Sequence, residues 1–130
     1  MPTPALHHIV LTVSDAERSR AFYADLLGFD VTVMSPGAAG SFYFMNASVW
    51  TFVIASPKPV AGDRFSEFRV GLDHLSFVAA SRAELDAIAA KLIAAGVDTK
   101  GVEVFAPTGN DYVAFRDPDN IQLEYWLEKA

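Results

Sequence analysis

The sequence contains no cysteine among its 130 residues. Disulfides, cysteine-bound zinc, iron–sulfur clusters and thiol nucleophiles are therefore excluded. Basic residues are also few, with 10 Lys and Arg against 16 Asp and Glu, a net charge of −6. This balance, without a basic cluster, argues against a nucleic-acid partner. No apolar run approaches the ~18 residues of a membrane helix, and the opening residues lack the pattern of a signal peptide. We therefore expect a cytoplasmic protein with no membrane partner.

The residues that are present favour a folded chain, because 52% are hydrophobic and only 20% are charged. Two halves of the chain also repeat one order of features. In each half a histidine begins an apolar run typical of a strand, a Ser and a Glu three residues later predict a capping box, and a glycine follows the helix. These residues are His8, Ser14, Glu17 and Gly28 in the first half and His74, Ser81, Glu84 and Gly96 in the second.

Three further strands are predicted in each half, near 29–34, 41–46 and 49–55 and near 97–104, 110–116 and 121–127. A hairpin loop at 46–48 and a tight turn at Asp117–Asn120 separate the last pairs, since Pro fixes φ and Asn tolerates a left-handed conformation. Each half therefore follows a β-α-β-β-β order. We predict an α+β fold with modules at 5–56 and 71–128 and a connector at 57–70, all within one domain, 1–130.

Strand alternation places His8, His74 and Glu124 on the sheet face that points away from the helices. Two imidazoles and one carboxylate with open positions form the ligand set of mononuclear Fe(II) oxygenases, which also suits Mn, Zn, Ni or Co. Such a metal acts as Lewis acid and template for a substrate that offers two oxygens. The alternative is that these are partnered histidines and a solvated glutamate without a metal.

Several aromatic residues are candidates for binding substrate. Phe42, Phe44, Trp50 and Phe52 fall at even positions of the first hairpin, and Tyr112 and Trp126 belong to the last two strands. Of these we select Phe44, Trp50, Phe52, Tyr112 and Trp126 as candidate substrate-binding residues, with core packing as the alternative. Arg69 and Arg116 are candidates for holding an anionic group, and the connector segment Asp63–Arg69 is a candidate cover for the site.

The motifs taken in order resemble the vicinal oxygen chelate superfamily, which includes glyoxalase I, bleomycin-resistance proteins and extradiol dioxygenases. The stretches that carry the resemblance are His8–Asp15, Ala21–Phe29, Gly71–Leu75 and Phe115–Glu124, the last containing the Asp-Pro-Asp turn. The resemblance implies paired βαβββ modules that form an open, cup-shaped mixed-sheet barrel. It also implies one divalent metal ion held by His8, His74 and Glu124, a small-molecule substrate and a homodimer.

Two departures from the family pattern are visible. Asn120 stands where the family often has Gly, which is mild because Asn adopts the same left-handed turn conformation. The second is the absence of Asp, Glu, Gln or His between Val31 and Gly62, where glyoxalase I and related epimerases have a further ligand. An isomerase needs a base beside the acidic C–H.

The missing base shifts our expectation toward a metal-dependent dioxygenase and away from a glyoxalase-type lyase or isomerase. One alternative is a non-enzymatic protein that binds a drug or metabolite, as bleomycin-resistance proteins do, and the aromatic rows favour it. Another is a degenerate module that serves only dimerisation. The sequence does not identify the residue that moves a proton.

Overall fold

The computed structural model describes residues 1–34 and 40–129 of the chain. Residues 35–39 and 130 lie outside the described residues. The chain divides into two compact units, Met1–Asp63 and Arg64–Ala130. The boundary between these units falls inside the connector predicted at 57–70.

The first unit contains a helix and a four-stranded sheet. Its elements are β1 (His8–Val13), α1 (Ala16–Arg20), a π-helical segment (Ala21–Leu26), β2 (Thr32–Val33), β3 (Phe42–Asn46) and β4 (Val49–Ala55). The strand order is β1-β4-β3-β2. β1 runs parallel to β4, and the other neighbours are antiparallel.

The second unit repeats this topology. Its elements are β5 (Leu75–Ala79), α2 (Arg82–Ala94), β6 (Thr99–Phe105), β7 (Asn110–Arg116) and β8 (Gln122–Leu127). The strand order is β5-β8-β7-β6, with β5 parallel to β8 and the other neighbours antiparallel. The predicted α+β class with two βαβββ modules is therefore confirmed. The strand predicted at 29–34 is much shorter than expected, because only Thr32 and Val33 pair with β3.

The two helix starts differ in how well the capping prediction holds. Ser81 caps α2 as predicted, with its hydroxyl accepting the Glu84 N–H at 3.1 Å, while the Glu84 carboxylate accepts the Ala80 N–H one residue earlier than a standard capping box. At α1 the predicted Ser14–Glu17 box is wrong. Asp15 is the N-cap, and its carboxylate accepts the Arg18 N–H at 3.1 Å.

The predicted helix-ending glycines and the late turn are confirmed. Gly28 and Gly96 have φ of 76° and 72°, a left-handed conformation that favours glycine at the end of a helix. Asn120 has φ of 69°, and its N–H donates to the Asp117 carbonyl at 2.9 Å. Asn therefore closes the turn where related sequences often have Gly.

The core of each unit lies between its helix and one face of its sheet. In β1, Leu11 and Val13 are buried, whereas His8, Val10 and Thr12 are exposed, which confirms the predicted alternation. In the second unit Leu85 and Leu92 of α2 are fully buried, as are Val113 and Leu123 of the sheet. The opposite sheet face is left for the candidate site. Neither helix in the described ranges has the length and hydropathy of a membrane-spanning segment.

Candidate metal and substrate site

His74 and Glu124 meet on the open face of the second sheet. Parallel pairing of β5 with β8 places Ser76 opposite Glu124, and His74 lies two residues before Ser76. The His74 Nε2 atom is 3.4 Å from Glu124 Oε1, and the side chains are 35% and 11% exposed. The structure therefore brings two of the three sequence-predicted metal ligands together in a partly desolvated place.

A second carboxylate fixes the imidazole from the other side. His74 Nδ1 lies 2.7 Å from Asp73 Oδ1. When Nδ1 carries the ring proton and donates it to Asp73, Nε2 presents a lone pair toward the Glu124 carboxylate. In that tautomer the two facing acceptors suit a bound cation, and a carboxylate behind the imidazole is the usual outer partner of a metal-bound histidine. The donor set therefore fits a divalent ion. Sequence reasoning missed Asp73, although its place directly before His74 was a usable signal.

His8, the third predicted ligand, belongs to the first unit. It is exposed at the start of β1, with its Nδ1 atom 2.9 Å from Nδ1 of His7. Its ring also meets Phe52 edge-on, with ring centroids 5.7 Å apart. Across residues 1–34 and 40–129, no three His, Cys, Asp or Glu side chains form a group able to hold a metal ion.

An open cleft of about 550 Å³ lies over the same sheet face of the second unit. Its lining consists of His74 and residues of the last three strands and their approach: Asp98, Thr99, Lys100, Glu103, Phe105, Tyr112, Ala114, Phe115, Arg116, Gln122, Glu124 and Trp126. Antiparallel pairing of β7 with β8 arranges these side chains in rows. Arg116 pairs with Gln122, Ala114 with Glu124, and Tyr112 with Trp126. Glu124 thus lies between a polar end and an aromatic end of the cleft.

The aromatic end contains two of the predicted substrate-binding residues. The Tyr112 and Trp126 rings stack with centroids 6.0 Å apart, and Phe105 meets Trp126 at 5.5 Å. Burial raises the pKa of Tyr112, and the negative charges of Glu103 and Glu124 raise it further. Its phenol therefore stays protonated well above neutral pH and is available as a hydrogen-bond donor.

At the polar end, Arg116 lines the cleft and forms an ion pair with a residue of the connector. Arg116 Nη1 and Nη2 donate to the two Glu67 carboxylate oxygens at 2.7 and 2.8 Å. These hydrogen bonds hold the pKa of Glu67 down to about 2, so the pair is charged on both sides at neutral pH. Arg116, which we named as a candidate for holding an anionic group, is instead neutralised by a carboxylate of its own chain.

The aromatic row of the first unit differs from the predicted one. Tyr43 pairs with Phe52, and its ring stacks on Trp50 at 4.9 Å, while Trp50 and Phe52 stack at 5.7 Å. Phe44 lies on the other face, 3% exposed, against Tyr23 and Phe29. Tyr43, and not Phe44, belongs to this row because of the hairpin. Its two-residue loop pairs even-numbered residues of one strand with odd-numbered residues of the other. Phe42 is likewise buried, and so is Phe115, which stacks on Tyr125.

Comparison with known proteins finds relatives that match most of this chain. The chain is 32% identical over 126 residues to the uncharacterised protein YwkD of Bacillus subtilis, covering 94% of this chain and 95% of YwkD. It is 30% identical over 119 residues to a protein of Bacillus subtilis named catechol-2,3-dioxygenase, covering 83% of this chain and 39% of that protein.

Among solved structures, the glyoxylase/bleomycin resistance protein/dioxygenase domain from Frankia superimposes with a TM-score of 0.79 at 29% identity, covering 98% of this chain and 100% of that domain. The model of the glyoxalase/bleomycin resistance protein/dioxygenase superfamily matches residues 5–125, nearly the whole chain. The chain therefore belongs to the glyoxalase/bleomycin resistance protein/dioxygenase superfamily.

Proposed function

We propose that this protein is a metal-dependent enzyme whose divalent ion is held by His74 and Glu124, with His8 as the third ligand. The observation that carries the proposal is the 3.4 Å approach of His74 Nε2 to Glu124 Oε1. The Asp73 carboxylate at Nδ1 supports it by orienting the imidazole. We include His8 as a ligand because it is the counterpart of His74 in the internal repeat and because the family resemblance implies it. The metal, when bound, supplies Lewis acidity to a substrate that chelates it through two neighbouring oxygens.

Residues of the chain would position the substrate beside this ion. Tyr112 and Trp126 offer a ring surface next to Glu124, and the protonated Tyr112 phenol can donate a hydrogen bond to a substrate oxygen. Trp50 and Phe52 offer stacked rings on the first sheet. These contacts favour a small aromatic or carbonyl-bearing substrate. We include in the proposal a homodimer, which the family resemblance implies, and a location in the cytoplasm.

Within the superfamily we favour dioxygenase chemistry over isomerisation. Phe52 stands on β4 opposite Val10, where an acidic side chain would serve as an additional ligand or base. A hydrocarbon ring cannot remove a proton from carbon, so the first sheet supplies no base at this place. The relative named catechol-2,3-dioxygenase points the same way.

A non-enzymatic binding protein is the second candidate function. The observation that favours it is the stacked group formed by Tyr43, Trp50 and Phe52, because continuous ring surfaces bind flat drugs and metabolites without a metal. In that case ligand binding would be insensitive to chelators. The His74–Glu124 pair would then have only a structural role.

Metal analysis and oxygen consumption test the proposal together. The protein is purified without added metal, reconstituted anaerobically with Fe(II), Mn(II), Ni(II) or Zn(II), and assayed with catechols and with a hemithioacetal. We expect one ion per chain and oxygen uptake with a catechol. His8→Ala, His74→Ala and Glu124→Gln should each reduce metal content and activity, whereas the exposed Glu128→Gln should change neither.

Three outcomes contradict the proposal in whole or in part. A protein that holds no divalent ion under any of these conditions excludes the metal-dependent enzyme. Hemithioacetal turnover without oxygen uptake would keep the metal site but replace the dioxygenase with a glyoxalase-type enzyme. Stabilisation by an aromatic drug that persists in chelator would favour the binding protein.

A further inference from the structure

The polar end of the cleft contains a guanidinium that is already bound by a carboxylate of the same chain. Arg116 lines the cleft, and its Nη1 and Nη2 atoms donate to the two oxygens of Glu67. Nη1 also donates to the Asn120 carbonyl at 3.3 Å. This two-point geometry is the one by which Arg recognises a substrate carboxylate. Glu67 therefore takes up the two guanidinium donors that an anionic substituent would need.

The position of Glu67 is set by the backbone around it. The Phe65 N–H donates to the Asp119 carbonyl at 2.9 Å, and the Phe65 carbonyl accepts the Asn120 side-chain amide at 3.0 Å. Two residues later the chain presents Glu67 to Arg116, where the side chains are only 16% and 24% exposed. The pair is thus an anchored, partly desolvated contact between the connector and the last residue of β7. It is not a loose surface ion pair.

The charges that line the cleft also disfavour an anionic substrate. Its described lining contains the cations Lys100 and Arg116 and the carboxylates Asp98, Glu103 and Glu124. The charges of Asp98 and Asp73 also act on Arg116, in addition to that of Glu67. In the metal-free cleft, with Arg116 neutralised, these three carboxylates outnumber the one remaining cation, so an added negative charge is disfavoured there.

We propose that Glu67 is a specificity-determining residue that occupies an anion subsite on Arg116 and restricts the cleft to substrates without a carboxylate or phosphate at that end. This inference rests on the proposed function in one respect, namely that the cleft beside His74 and Glu124 receives the substrate. The substrate class follows: a neutral compound with two neighbouring oxygens, such as an uncharged catechol. A compound of this kind that also carries a carboxylate or phosphate is excluded from the cleft. Removal of Glu67 should convert the cleft into a carboxylate-binding site.

The test measures benzoate binding to the metal-free full chain by isothermal titration calorimetry. Glu67→Ala opens the subsite, and Glu67→Gln keeps the shape of the side chain in case the alanine variant does not fold. We expect wild type to bind benzoate at least tenfold more weakly than the Glu67 variants. The double variant Glu67→Gln with Arg116→Gln should lose the gain. Asp86→Ala, which removes a carboxylate from the exposed Arg82 ion pair on α2, is the matched control and should behave as wild type.

A parallel titration of the Mn(II)-loaded protein with catechol and with 3,4-dihydroxybenzoate separates the two proposals. Wild type should prefer catechol, and the Glu67 variants should shift toward the acid by about tenfold. Unchanged benzoate affinity in both Glu67 variants, or a gain that survives loss of Arg116, overturns the role of Glu67. A benzoate gain without any catechol binding supports the subsite and rejects the proposed substrate.

Discussion

Phe52 occupies in the first module the strand position that Glu124 occupies in the second. In both sheets this residue pairs with the one that lies two places after the module's histidine, Val10 after His8 and Ser76 after His74. The histidine contacts agree, since His8 meets the Phe52 ring and His74 meets the Glu124 carboxylate. The duplicated scaffold therefore carries one carboxylate and one aromatic ring at equivalent places. This difference underlies our preference for a site without a carboxylate from the first module.

Phe52→Glu should restore the missing carboxylate next to His8. We expect the variant to bind Zn(II) roughly tenfold more tightly than wild type, a change that corresponds to about 1.4 kcal/mol. Competition with a chromophoric chelator measures it. Met45→Glu adds the same charge to the same sheet face at the end of the hairpin, 45% exposed, and should leave the affinity unchanged. Equal affinities for the Phe52 variant and wild type would contradict the assignment of His8 to the metal.

Asp73→Ala should weaken metal binding although Asp73 is not a proposed ligand. Its carboxylate holds His74 Nδ1 at 2.7 Å, and loss of such an outer partner costs about 10–100-fold in metal affinity. Asp73→Asn should lose less, because the amide oxygen still accepts the ring N–H. Isothermal titration with Mn(II) is the measurement. If the alanine variant binds as wild type does, the orientation of His74 does not depend on Asp73.

Asp117→Ala should destabilise the fold while leaving metal affinity unchanged. The buried Asp117 carboxylate accepts the N–H groups of Asp119 and Ile121, both at 2.8 Å. Loss of these charge-assisted hydrogen bonds should lower the free energy of unfolding by about 2–4 kcal/mol. Urea denaturation measures the change, and Asp117→Asn, which keeps an acceptor, should lose less. A drop in Mn(II) affinity in the folded variant would show that the turn also serves the site.

Tyr125 should make stability fall at high pH. Burial, with a smaller effect from the charge of Glu84, raises the pKa of Tyr125 from 10.0 to about 12. The folded state therefore favours the protonated phenol, so its contribution is complete below pH 10 and is lost as the pH rises toward 12. The full loss is about 2–3 kcal/mol, at about 1.4 kcal/mol per pKa unit.

Urea midpoints of wild type and Tyr125→Phe between pH 9 and about pH 12 measure this effect. The Phe variant lacks the ionisable group and should follow a flatter curve, whereas Tyr43→Phe, on the open sheet face, should follow wild type. Parallel curves for wild type and the Tyr125 variant would exclude the proposed linkage. The comparison is made at each pH, so that general alkaline denaturation cancels.

Local interactions made some elements predictable from the sequence, but they led to wrong predictions for others. Ser81 and Gly96 act as predicted because a cap depends on neighbouring backbone groups only. At α1, Ser14 and Asp15 are both good cap residues by type, and the structure uses Asp15. The place of Phe44 was mispredicted because parity was counted along one strand and not across the hairpin, although the loop length could have corrected it.

The sequence alone determined the duplicated βαβββ order and the face on which His8, His74 and Glu124 lie, because strand alternation acts over a few residues. Its motifs also carried the resemblance to the family. The tertiary structure decided three further things. It placed His74 Nε2 against Glu124, it put Phe52 at the matching place, and it brought Glu67 to Arg116. Each of these joins residues far apart in the chain, and strand register and the path of the connector, which only the packed fold fixes, determine such contacts.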